Sequence, residues 1–169
     1  MKLVISFLLL VCMFSCKEKE GKSTENNQDN TSFSISKKMI QNLNYTDFIL
    51  DSKVEKITQK WAKYNELEAV ILNLKQADLS YFKDNHEFLE ALINDLKQTI
   101  PDKVNSPAIM SRLIALETKL YKLESVVNLS NSSTKVIVTS IKEVLVSFSN
   151  LNLQMNKKIE RESQKIKKP

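Results

Sequence analysis

A single glycine, Gly21, occurs in the 169 residues of this chain. Hairpins and sheet corners draw on glycine to reach positive φ, whereas helix interiors are weakened by it. A chain almost without glycine is therefore suited to a few long helices joined by polar turns. The three prolines, Pro101, Pro107 and Pro169, leave long uninterrupted segments between them. With 42% hydrophobic and 27% charged residues, the length suffices for one small core.

From Thr46 onward the apolar residues recur at helical spacing. Val54, Ile57, Trp61, Tyr64, Leu67, Ile71 and Leu74 follow one another at steps of three and four, which places them on one stripe of a helix. This pattern predicts a first helix over 47–83. Asp84-Asn85 reads as a stop and restart, and a second helix over 86–99 carries Phe88, Leu92 and Leu96 until Ile100-Pro101 forbids continuation. Ser106-Pro107 is a start signal, a capping serine followed by a proline whose missing N–H is harmless at the first helical position. It opens a third helix over 107–128 with Ile109, Leu113, Leu116, Leu120 and Leu123 on its stripe. The polar run NLSNSS over 128–133 makes a turn, and a last helix over 133–163 carries Ile137, Ile141, Val144, Phe148, Leu151 and Met155.

The fold class predicted is all-α, an elongated antiparallel three- to four-helix bundle over 46–160. The first helix would run ~55 Å at 1.5 Å per residue, about as long as the second and third together. Three layers with the middle one broken over 100–107 is the economical arrangement, and it resembles the packing of spectrin repeats. A compact four-helix bundle is the alternative. Glu68, Lys75 and Asp78 interrupt a strict heptad, which disfavours an extended free coiled coil.

The first 20 residues carry a different message. Lys2 is followed by the apolar stretch LVISFLLLVCMF, too short to span a bilayer, and the polarity changes abruptly at Ser15-Cys16-Lys17-Glu18. Met1 to Ser15 reads as a removable secretory signal over 1–15. Ser15 is small, as a peptidase site before Cys16 requires, whereas Val11 before Cys12 is branched. No cysteine follows Cys16, so the exported chain holds one cysteine, at its very start, with no disulfide partner. This stretch resembles the lipobox of bacterial lipoproteins, with Met13 and Phe14 in place of the usual residues, a loose form similar to that of Bacteroidota lipoproteins. The resemblance implies lipidation of Cys16, cleavage before it, and a cell-envelope location, lipid-anchored at the outer membrane on its periplasmic or surface face. Residues 17–36 are rich in Lys, Glu, Ser, Asn and Thr, so a disordered linker is expected over 16–45.

The net charge of +5 is not spread over the chain. The stretch 157–169 holds six basic and two acidic residues, while 16–156 carries 18 of each. A neutral body with a basic tail, set at 161–169, lacks the phosphate-tracking stripe of a nucleic-acid binder, so no nucleic acid is expected.

Chemistry-bearing constellations are sparse. His86 is the only histidine, which excludes a His-His metal pair. His86 and Glu90 lie four apart and could share a helix face, but a solvated polar face is the commoner outcome, so no metal is expected. One glycine rules out a glycine-rich phosphate loop, and no CxxCH haem site exists, so no cofactor is expected. Glu66 with Glu68, or Glu87 with Glu90, are the carboxylate pairs on which an enzyme would have to rely. On the last helix Val136, Val138, Val146 and Leu153 add apolar positions beside the main stripe, a surface for a protein partner or a second copy of the chain. The function these features favour is a non-catalytic, lipid-anchored interaction or scaffolding module, not an enzyme. A periplasmic binding or chaperone-like protein for an apolar ligand or client is the alternative, and a carboxylate-based envelope enzyme around Glu66, Glu68 or Glu87 a third.

Overall fold

The structure, a computed structural model, describes residues 35–164. The expected signal peptide, Cys16, the linker up to residue 34 and the last five residues of the basic tail lie outside them. The described residues form an all-α bundle with no strand among them. Its helices are α1 (Lys37–Gln41), α2 (Ser52–Thr58), α3 (Ala62–Lys75), α4 (His86–Gln98), α5 (Pro107–Asn128) and α6 (Thr134–Ser163), with a 3-10 turn at Ser80–Phe82.

α6 is the organising element, ~45 Å long at 1.5 Å per residue. Its buried face presents Ile137, Ile141, Val144, Phe148, Leu151 and Met155 to the core, and Ser133 caps its start by accepting from the Val136 N–H. By length and apolarity alone α6 could cross a membrane, with a mean hydropathy of 1.2 over its most apolar window. Half of that window is buried against the rest of the body. α5 begins as the Ser106-Pro107 signal requires, with the Ser106 hydroxyl accepting from the Ile109 N–H. It returns along α6 through the short turn 129–133, and Glu143 of α6 pins the hairpin by pairing with Lys119 and Lys122 at 3.0 and 2.8 Å.

Cross-helix pairs give the topology. Lys97 meets Glu117 and His86 meets Glu124, each at 2.9 Å, so α4 lies beside α5 and runs against it. The second and third helices are thus not two halves of one broken layer; α4 is a layer of its own. On its other side Asp95 pairs with Lys63 at 3.3 Å, and Thr99 Oγ1 accepts from the Trp61 indole N–H at 3.1 Å, which sets α3 antiparallel to α4. α3 then closes on α6 through Tyr64, whose ring stacks on Phe148 at 5.8 Å. The result is a four-helix arrangement of α3, α4, α5 and α6.

Two further expectations are corrected. In place of one helix over 47–83, the chain runs extended to Asp51, forms α2, breaks at Gln59–Trp61, forms α3 and ends it at Gln76. At the break Trp61 has φ −99° and ψ 86°, and its ring drops into the core, 2% exposed and stacked on Tyr64 at 5.5 Å. The spacing Ile57, Trp61, Tyr64 survives because α2 and α3 each keep their apolar stripe toward the same core. The second correction concerns 35–45, expected as disordered linker: Ser36 caps α1, Ile40 is buried, and Ile35, Leu43 and Tyr45 pack against the core. Those four apolar side chains give this segment enough to bury.

Candidate functional site

The segment between α1 and α2 crosses the surface as an extended strap. Among the described residues it has no strand to pair with, and α6 supplies partners from side chains. Ser149 Oγ accepts from the Phe48 N–H at 2.7 Å and donates to the Thr46 carbonyl at 2.7 Å. Asn152 Nδ2 donates to the Phe48 carbonyl at 3.1 Å. Asn156 makes a two-point clasp, donating to the Ile49 carbonyl at 2.8 Å and accepting from the Asp51 N–H at 2.9 Å. The spacing of these three α6 residues, three and then four, puts them on one face of the helix and matches the advance of the strap above them.

Asn152 also turns inward. Its Oδ1 accepts from the Tyr64 hydroxyl at 2.7 Å in the core, where Asn152 is 4% exposed and Tyr64 fully buried. Burial pushes the Tyr64 hydroxyl far above the ordinary tyrosine range, and the nearby Glu68 charge adds to the shift against the opposing bond to Asn152. Tyr45, beside the strap, is pushed up to about 12 by burial and by the charge of Asp47.

Beside the strap lies a groove of about 370 Å³. One wall is the strap itself, Asp47 to Leu50; the other is Glu55, Thr58 and Gln59 with Asn65, Glu68 and Leu72 of α3. Ile71, Phe148 and Asn152 contribute apolar and amide surface to it. Lys75 spans one end to Asp47 at 2.6 Å. Ile49 and Leu72 stand 79% and 55% exposed at its sides. Glu55 and Glu68 are exposed and enter no ion pair among the described residues. The volume falls at the small end of ligand-binding clefts.

A second polar cluster sits at the far end of α4. His86 Nδ1 lies 2.9 and 3.0 Å from the two oxygens of Glu124, a carboxylate only 8% exposed. The hydrogen bond and charge of Glu124 raise the His86 pKa, with smaller contributions from Glu90 and Glu87. Glu90, four residues on, acts on His86 only through its charge; the direct contact comes from Glu124 of α5. Among the described residues no group of three or more histidine, cysteine or acidic side chains is arranged to hold a metal ion.

The sequence-predicted residues are dispersed. Cys16 lies outside the described residues. Val138, Val146 and Leu153 are half-buried on one stripe of α6, while Val136 is 45% exposed and about 200° around the helix from Val138. Glu66 and Glu68 likewise diverge by about 200° on α3: Glu66 pairs with Lys63 at 3.1 Å, and Glu68 faces the groove. Glu87 is in the first turn of α4. Sequence reasoning missed Ser149, Asn152 and Asn156, because α6 carries other small polar residues such as Ser140, Ser147 and Asn150 and nothing local sets these three apart. No family model, curated protein or solved structure matches this chain.

Proposed function

We propose that the chain is a lipid-anchored cell-envelope protein, held at the outer membrane through Cys16, that acts without catalysis as an interaction or scaffolding module. The observation that carries this reading is the position of Cys16, the last cysteine of the chain, at the junction between an apolar leader and a charged segment. A thioether-linked lipid there leaves the exported protein no free thiol. Two acyl chains anchor stably where one does not. The groove beside the strap supports the interaction part, because it offers apolar side chains, amides and two carboxylates, Glu55 and Glu68, that enter no ion pair among the described residues. The second reading, a periplasmic binding or chaperone-like protein for an apolar ligand or client, draws on the exposed Ile49 and Leu72 at that groove.

Metabolic labelling with an alkyne fatty acid in a Gram-negative host tests the anchor. Wild-type protein is expected in the membrane fraction carrying the label, and the Cys16→Ala variant is expected to carry none. A wild-type chain that takes up no label ends the lipoprotein reading.

A further inference from the structure

Thr46 and Phe48 turn backbone groups toward α6, and Asp47 between them, in an extended chain, turns its own the opposite way; beyond Phe48 the Ile49 carbonyl also turns to α6, through Asn156. The N–H and C=O of Asp47 and the N–H of Ile49 accordingly make no hydrogen bond among the described residues. Among the described residues these groups form a free edge of extended backbone, and such an edge is a template for another extended chain. The same residues line the groove, which follows α3 from Asn65 to Lys75. Ten residues of helix rise about 15 Å, the span of about four or five extended residues.

The side chains along this groove specify what fits. Glu55 and Glu68 are exposed acids without a cationic partner among the described residues, and Asp47 is opposed only by Lys75. Three acids against one base give the lining a net negative charge, around apolar surface from Ile49 and Leu72. We propose that the groove binds an extended peptide segment in which apolar residues alternate with lysine or arginine, its backbone pairing with Asp47 and Ile49 and its cations meeting Glu55 and Glu68. Strand addition supplies affinity through the main chain, and the charge pattern supplies selectivity. The proposal rests on the interaction-module reading and names its partner class, but it does not depend on lipidation.

Fluorescence anisotropy with the full-length chain in detergent tests it, using a labelled heptapeptide of alternating leucine and lysine. Its counterparts are the same peptide with glutamate for lysine, and one N-methylated at alternate residues so that it keeps its charge but loses the pairing N–H groups. The expected result is saturable binding of the lysine peptide, weakened about tenfold by the Glu55→Gln, Glu68→Gln double variant. The N-methylated peptide is expected to bind about tenfold more weakly. Both substituted positions are exposed, so the variant should keep its helical circular dichroism. Equal binding of the glutamate peptide, an unaltered affinity in the double variant, or no loss on N-methylation overturns the proposal. So does a chain that carries lipid on Cys16 yet binds no peptide, an outcome that leaves the anchor standing.

Discussion

Asn152 joins two tasks that usually fall to separate residues. Its amide nitrogen holds the strap and its oxygen satisfies the buried Tyr64 hydroxyl. Removing it orphans a buried donor, which is more harmful than losing the bond alone. Asn152→Ala is expected to lower stability by about 2 kcal/mol in urea denaturation. Combining Asn152→Leu with Tyr64→Phe, which removes both polar partners, should cost less than the sum of the single changes, and a strictly additive result would show that the bond is energetically idle. At this scale the sequence was legible for apolar residues: Val54, Tyr64, Leu67, Ile71 and Leu74 are buried as their spacing predicts. It was not legible for Asn152, because a polar residue on a helix announces a partner only once the segment a hundred positions away is known to lie across it.

The ends of the helices show what a chain short of glycine does where glycine is most useful. α3 closes in a Schellman turn: the Asp78 N–H reaches the Asn73 carbonyl at 3.0 Å and the Ala77 N–H the Leu74 carbonyl at 3.0 Å. The residue at the left-handed position is Ala77, with φ 66°, and Asp84 at φ 49° occupies a second such place. An alanine there is strained by its Cβ. Ala77→Gly is therefore expected to raise stability by about 0.5–1 kcal/mol in urea denaturation, after allowing for the greater freedom of glycine in the unfolded chain. A loss of stability would mean that Ala77 packs usefully against the core it borders. The starts of α5 and α6 were legible because Ser106-Pro107 and Ser133 are local chemical signals. The break at Trp61 was hidden because no glycine or proline marks it and the apolar rhythm continues through it.

For the molecule as a whole, two ion-paired groups, Glu143 and His86, set opposite limits on the pH range of greatest stability. The Lys122 and Lys119 ammonium groups hold the Glu143 carboxyl below its usual 4.5, so this contribution is complete above that pH and is lost as pH falls through the folded value. Glu124 raises His86 above its usual 6.5, so that contribution is complete below 6.5 and is lost as pH rises through the folded value. Thermal melts from pH 3 to 9 are expected to peak between about 4.5 and 6.5. His86→Asn should flatten the alkaline side and Glu143→Gln the acid side; a profile unchanged by either variant would place the titration elsewhere. The bundle itself was foreseeable from four periodic segments, but not the placing of α4 beside α5, since the loop 99–106 allows a continued course as readily as a reversal. Only the pairs Lys97 with Glu117 and His86 with Glu124 decide it.

The strap carries one more consequence. Its course is held through the N–H of Phe48 and Asp51 and the carbonyls of Thr46, Phe48 and Ile49, all gripped by α6. The hydrogen bonds of the clasp go to the strap's backbone and not to its side chains. Proline is barred from positions 48 and 51, where an N–H is required, but the exposed side chains of the strap can change without altering the path of the backbone. The side chains that the strap contributes to the groove, Asp47 and Ile49 among them, can thus be edited in a few codons, while the codons that fix its path sit a hundred positions downstream.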